Sequence, residues 1–79
     1  MKIGDIVRLR HSFKPSSEDL PKYRFGIVAG LIFDDSQDRE NPELVEIILN
    51  LYDPDTSTIY VDQAGIAAIY SFYPNEISA

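Results

Sequence analysis

The sequence predicts a small all-β domain, a barrel of five short strands with at most one short helical turn. The chain has 79 residues and no cysteine, so it has room for one modest hydrophobic core without disulfide support. Five apolar runs, rich in β-branched and aromatic residues, alternate with turn-rich gaps. We therefore expect residues 1–79 to form a single domain.

The first run, residues 5–11, has the alternation of a half-buried strand. Val7 and Leu9 fall on one side of it, and Arg8 and Arg10 fall on the other. We therefore expect a strand here, with both arginines facing solvent.

A long loop is expected at residues 12–23. Pro15 and Pro21 exclude a regular helix through this segment, although residues 17–20 have room for one helical turn. Loops of about a dozen residues in compact domains are often functional or mobile. The segment is therefore of functional interest.

The second run, residues 24–33, contains glycines at positions 26 and 30. Glycine inside a strand often marks a bulge or a close backbone approach. Two glycines four residues apart suit a strand that bends from one half of a small barrel to the other. An acidic polar loop is expected after it, at residues 34–43.

The remaining chain predicts a hairpin and a final strand. In residues 44–52 the odd-numbered apolar residues are expected to face the core. A turn at residues 53–57, rich in Asp, Pro and Ser, leads to a second strand at residues 58–62. A last strand is expected at residues 67–73, and residues 76–79 are expected to fray.

Two short helical alternatives remain open in this half. Residues 62–66 have room for a single 3₁₀ turn. Residues 66–72 carry apolar side chains at helical spacing. However, Gly65 before them, Pro74 after them and their aromatic and β-branched content favour a strand.

The overall charge and hydropathy exclude several classes of protein. Seven basic and 13 acidic residues give a net charge of −6, which argues against a generic nucleic-acid binder. No apolar run approaches the ~20 residues of a membrane span, and no signal-like apolar segment follows Met1. We expect a cytoplasmic protein with no membrane span, since small secreted domains usually carry disulfides.

Residues suited to catalysis or metal binding are sparse. His11 is the single histidine, and no G-x-S-x-G motif supplies a nucleophilic serine beside it. Residues 53–64 begin like a calcium loop, but Thr58 stands where glycine is needed and Ala64 where glutamate is needed. No glycine loop that could cradle a phosphate is present. The sequence therefore predicts a protein that is not an enzyme and that has no cofactor and no metal site.

Charge is distributed unevenly along the chain. Residues 1–24 carry six basic and three acidic side chains, a sum of +3. Residues 25–79 carry one basic and ten acidic side chains, a sum of −9. The basic segment contains the first strand and the start of the second, so pairing of these strands would gather positive charge on one surface.

This basic segment is the predicted partner-binding surface. Its candidate residues are Arg8, Arg10, Lys22, Tyr23 and Arg24. Such a surface suits an acidic protein partner, or single-stranded nucleic acid through salt contacts and stacking. In the opposing interpretation, acids of residues 34–46 neutralise these charges on the same domain.

Aromatic residues are concentrated in the C-terminal half. They are Tyr52, Tyr60, Tyr70, Phe72 and Tyr73. A barrel core with an amphipathic rim accounts for them, and an exposed platform for a peptide or for homo-oligomerisation is the alternative.

Two segments resemble a known group of small barrels. Residues 4–9, Gly-Asp-Ile-Val-Arg-Leu, resemble the G-D-x-V-R-V/L first strand of SH3-like barrels, which occurs in KOW-type ribosomal domains, PemK-type toxins and electron-transport accessory proteins. Residues 20–28 resemble the L-P-R-Y-x-R-G-x-x-G segment of nitrile hydratase β-subunits. The resemblance covers residues 4–32, and it departs from the pattern in having Phe25 between Arg24 and Gly26.

The resemblance implies a function as well as a fold. It implies an SH3-like barrel that docks on a larger protein and performs no chemistry itself, so no catalytic residue is carried over. The KOW-type likeness implies RNA binding as the first alternative, and the PemK-type likeness implies a ribonuclease toxin as the second. We expect a non-enzymatic accessory or protein-interaction module, for which nucleic acid is an unlikely partner.

Overall fold

The computed structural model describes residues 1–15, 22–34, 36 and 40–78. Its strands are β1 (Ile6–Phe13), β2 (Tyr23–Asp34), β3 (Glu43–Asp53), β4 (Thr58–Ile59), β5 (Ile69–Phe72) and β6 (Ile77–Ser78). A 3₁₀ turn, Pro74–Glu76, lies between β5 and β6. Within the described residues the chain is therefore all-β, as the sequence predicts.

All of these strands belong to one antiparallel sheet. Its order is β4-β3-β2-β1-β6, and β5 pairs with β3 beside β4. The sheet has six strands where the sequence predicts five, and it does not close on itself. The all-β class is confirmed, whereas a closed five-stranded barrel is not.

The ladder between β2 and β3 is the longest in the sheet. It runs from the Phe25–Tyr52 pair to the Asp34–Glu43 pair. Two register shifts interrupt it, one near Ala29 and one beyond Ile32. The remaining strands attach to this hairpin, directly or through β1.

β1 covers only the first half of β2. Ile6 lies opposite Ile27, and the Gly4 N–H donates to the Val28 carbonyl at 2.8 Å. Beyond Val28, no described strand other than β3 pairs with β2. The hairpin therefore projects past β1, which agrees with the elongated dimensions of 43 × 24 × 21 Å.

The core lies on one side of the sheet. Its buried members are Val7, Leu9, Val28, Ile47, Leu49, Leu51, Phe72 and Ile77. The alternation predicted for β1 is confirmed, because Val7 and Leu9 are buried while Arg8 and Arg10 are exposed. The alternation predicted for the third run holds from Ile47 onwards.

The two strand glycines have different neighbours. A β-carbon at Gly26 would lie 2.8 Å from Leu49 Cδ1 and 3.2 Å from the Asn50 carbonyl oxygen. A β-carbon at Gly30 would have Ile48 atoms at 3.5 Å, an ordinary contact. The close approach that strand glycines often permit therefore occurs at Gly26, where Leu49 fills the space.

The loops begin and end differently from the sequence prediction. β1 continues to Phe13 and β2 begins at Tyr23, so strand pairing extends into the segment 12–23 that is predicted as loop. The acidic loop 34–43 is shortened at each end by one strand residue. Residues 16–21, 35 and 37–39 lie outside the described residues.

The helical alternative at residues 66–72 is wrong, because they contain strand β5. Residues 62–66 form a turn with one i→i+3 hydrogen bond, from the Gly65 N–H to the Asp62 carbonyl at 3.0 Å, and the Asp62 carboxylate accepts two further backbone N–H groups. The 3₁₀ helix of the structure lies at Pro74–Glu76. The possible helical turn at residues 17–20 lies outside the described residues.

The end of the chain also differs from prediction. Residues 76–79 are expected to fray, but Ile77 pairs with Leu9 and Ser78 pairs with Arg8 to form β6. Ile77 is 6% exposed and belongs to the core. The difference arises because a two-residue strand carries no periodic signal.

Replacement of Gly26 by alanine should destabilise the fold by about 1–3 kcal/mol, since the added methyl group overlaps Leu49 and core overpacking has costs of this size. Gly30→Ala is the matched control and should change the free energy of unfolding much less. Urea denaturation of both variants measures the difference. Equal losses would show that Gly26 has no special packing role.

Replacement of Ile77 by alanine should lower the free energy of unfolding by about 2–4 kcal/mol, as for other buried isoleucines. The control is Ile66→Ala, because Ile66 is 62% exposed and lies in a turn. Thermal or urea unfolding provides the measurement. A loss no greater than that of the control would mean that β6 is not part of the stable fold.

Candidate interaction surface

The sheet has a second face, opposite the core. Residues paired directly across antiparallel strands point to the same side, so one row of this face contains Arg8, Phe25 and Tyr52. The adjacent rows follow from the same pairs. We define the outer face as Ile6, Arg8, Phe25, Ile27, Ile48, Asn50, Tyr52, Ile69 and Ser71.

The outer face is largely apolar. Ile6 and Ile69 are exposed at its margins, and Phe25, Ile27 and Ile48 are half-buried between them. Apolar side chains that lie next to one another on an open surface are characteristic of interaction sites. In the described part of the chain, one side of the sheet therefore forms the core, and the other carries apolar side chains that are exposed or half-buried.

Arg8 and Arg10 add positive charge at the edge of this face. Both are exposed, and no ion pair joins either of them to a carboxylate in the described part of the chain. Arg8 lies opposite Phe25 on the ladder, whereas Asp34 and Glu46 lie seven to nine strand residues farther along, about 20–30 Å away at ~3.3 Å per residue. These two acids do not neutralise the arginines.

Arg24 contacts β1 through its guanidinium. Its Nε donates to the Leu9 carbonyl at 2.8 Å, and its Nη2 donates to the Arg10 carbonyl at 3.1 Å. The β1–β2 register shifts between Arg8 and Phe13, so regular backbone pairing is interrupted here. The Arg24 side chain bridges this irregularity and also brings its charge close to Arg10.

Tyr23 packs inwards and is not part of the outer face. It is half-buried, and its ring lies edge-on to Tyr60 with the centroids 5.6 Å apart. Desolvation raises the pKa of the Tyr23 hydroxyl, and the negative charge of Asp53 and the nearby Tyr60 raise it further. Its main contribution is to packing at the margin of the core.

Lys22 lines a pocket of about 300 Å³ between the start of β2 and the turn after β3, next to the outer-face residues Phe25 and Tyr52. The lining residues are Lys22, Tyr23, Arg24, Phe25, Tyr52, Asp53, Pro54 and Asp55. Two basic and two acidic side chains contribute to it. This mixed lining does not favour an anion over a cation.

The predicted set therefore divides into two groups. Arg8, Arg10 and Arg24 lie beside one another on the paired strands β1 and β2, and Lys22 and Tyr23 line the pocket. Arg24 belongs to both groups, because it also lines the pocket. The apolar residues of the outer face are absent from the predicted set. The sequence contains a signal for them, since Ile6 and Ile48 stand at positions where a solvent-facing strand would carry polar residues.

The aromatic residues of the C-terminal half mostly pack against the core. Phe13 lies edge-on to Tyr70 and Phe72, with centroid distances of 5.0 and 5.3 Å. Phe72 is buried, Tyr60 and Tyr70 are half-buried, and only Tyr73 of this group is largely exposed. This arrangement fits a core margin better than an exposed aromatic platform.

The comparisons with known protein families, curated proteins and solved structures found no match. Within the described residues, no group of three or more His, Asp and Glu side chains is placed to hold a metal ion. The same residues contain no helix long and apolar enough to cross a membrane. Function is therefore inferred from the surfaces of the chain itself.

Replacement of Arg24 by lysine should lower the free energy of unfolding by about 1 kcal/mol, because an ammonium group cannot reproduce the two-point contact with β1. Arg8→Lys is the matched control, since Arg8 has no comparable carbonyl contact in the described structure. Chemical denaturation measures both variants. If they are equally stable, the Arg24 contact is not structural.

Proposed function

We propose that the chain is a non-enzymatic, SH3-like interaction module that docks on a larger protein through its outer face. The observation that carries this proposal is the exposed apolar surface beside Arg8 and Arg10. Interface centres are enriched in aromatic residues and arginine, and Phe25, Tyr52 and Arg8 lie in one row of this face. A cytoplasmic location belongs to the same proposal.

The barrel-like shape is supported by the path of the chain after β5. β5 pairs with β3 and β6 pairs with β1, although only the 3₁₀ turn and Tyr73 separate the two strands. The five Cα–Cα steps from Phe72 to Ile77 span at most about 17 Å, so the two sides of the sheet must curl towards each other over the core. Such curling is what an SH3-like assignment requires.

The chemistry of the surface indicates the chemistry of the partner. The two arginines have no carboxylate partner in the described part of the chain, and the apolar rows lie alongside them. A complementary protein surface would present apolar side chains flanked by aspartate or glutamate. The position of the arginines at the edge of the apolar rows suits a polar rim around a dehydrated centre.

Single-stranded nucleic acid is the alternative ligand. Phe25 and Tyr52 lie in the same row as Arg8, which is an arrangement that can stack bases beside a cation. Against it, the net charge of −6 repels a polyanion. The structure offers no comparable observation in favour of a ribonuclease, since His11 is exposed and is the single histidine of the chain.

Charge reversal tests the proposed surface. The double variant Arg8→Glu/Arg10→Glu should reduce capture of a protein partner from extracts at least about tenfold, because opposite charge across an interface is replaced by repulsion. Lys2→Glu/Lys14→Glu makes the same change in net charge away from the outer face and should leave capture unchanged. Quantitative mass spectrometry of nuclease-treated captures provides the measurement.

The apolar rows need their own pair of variants. Ile69→Asp, on the outer face, should also reduce capture, whereas Ile66→Asp, in an exposed turn, should not. If all variants retain the same partners in the same amounts, the outer face is not the docking surface. Capture that disappears on nuclease treatment, with direct binding to single-stranded RNA at low salt, would favour the alternative ligand.

A further inference from the structure

No described strand pairs with the outer edge of β2 beyond β1. β1 leaves β2 at Val28, and from residue 29 to residue 33 β2 pairs with β3 alone among the described strands. Backbone N–H and C=O groups that point away from β3 therefore face solvent or a further strand. Such an edge is a template for strand addition.

Apart from the bulge at Ala29, this edge lacks the features that usually prevent strand pairing. Residues 29–33, Ala-Gly-Leu-Ile-Phe, contain no lysine, no proline and no charge. Ile32 is 44% exposed and Phe33 is 52% exposed. One register shift bends β2 at Ala29, but the other adds a residue to β3, so β2 itself continues regularly after the bend.

We propose that two copies of the chain pair antiparallel through this edge, about a twofold axis near Leu31. An isologous contact of this kind uses the same segment on both copies and closes after two. The five residues span about 16 Å at ~3.3 Å per residue. With the axis at Leu31, Asp34 of one copy lies opposite Val28 of the other, so the pairing ends where β1 already occupies the edge.

The charge distribution favours this antiparallel arrangement. Asp34 and Glu43 form the last pair of the described β2–β3 ladder, so acidic side chains lie at the far end of the hairpin. Antiparallel pairing separates the two Asp34 residues by about 20 Å, beyond the Debye length of ~8 Å at physiological salt, whereas parallel pairing would superimpose them.

The proposed dimer is independent of the proposed docking function. It uses backbone groups at the β2 edge and leaves Arg8 and Arg10 accessible on the outer face. The two sheets would become one continuous sheet with two outer faces side by side. A second copy is a better occupant than a foreign strand, because the same apolar, uncharged segment supplies both halves of the contact.

Sedimentation equilibrium tests the dimer. The wild-type protein should show a mass near twice its 9.0 kDa chain mass. Ile32→Lys should raise the dimer Kd at least about tenfold, because a lysine on an edge strand opposes strand addition. Ile66→Lys makes the same substitution at an exposed turn and should remain dimeric. Phe33→Lys replaces Ile32→Lys if the latter fails to give a folded NMR spectrum.

Cross-linking tests the position of the contact. The chain has no cysteine, so Ile32→Cys introduces a single thiol that a short bismaleimide should link between two copies, and Ile66→Cys should not be linked. A wild-type protein that stays at 9.0 kDa at millimolar concentration would overturn the proposal. So would equal dimerisation of the two lysine variants, or amides 29–33 that become protected from exchange only when a different protein is added.

Discussion

The β2–β3 ladder is the interaction on which the rest of the structure depends. β1 is positioned by one edge of this hairpin, β4 and β5 by the other, and β6 by β1. The spacing inside the ladder depends in turn on Gly26, because Leu49 occupies the volume that a β-carbon would need. Leu49 is fully buried among the core residues, so this close approach places the β2 backbone directly against the core.

The two candidate surfaces both follow from unequal strand lengths. β2 and β3 have 12 and 11 residues, whereas β1 has 8 and β5 has 4. Short flanking strands cannot cover a long hairpin, and the core uses only one of its sides. What remains is an apolar outer face near β1 and an uncovered edge beyond it. The edge belongs to a ribbon that would be marginal alone and is held in place by its continuity with the packed half of the hairpin.

Sequence patterns predicted those parts of the fold that are determined by neighbouring residues in the chain. Alternation located the buried and exposed residues of β1, and the Asp- and Pro-rich turn located the β3–β4 hairpin. The pairing of Ile77 with Leu9 joins residues far apart in sequence through two residues that have no periodicity, so no sequence pattern indicates it. The contact of Arg24 with two β1 carbonyls has the same character, because it depends on a register shift that only the paired strands reveal.

The candidate interaction surface could likewise be predicted only where its cause is local. Arg8 and Arg10 could be selected from the sequence because they alternate with core residues. The position of Lys22 and Tyr23 beside the turn after β3 depends on the pairing of β2 with β3, which begins at Phe25. The effect of the uneven charge depends on where strand pairing places the charged residues. Arg24 and Asp34 are ten positions apart along β2, about 30 Å at ~3.3 Å per residue, so Asp34 lies several Debye lengths from the arginines. Asp53 and Asp55, by contrast, line a pocket with Lys22 and Arg24, so the acidic side chains that share a surface with the basic residues include ones from the turn after β3.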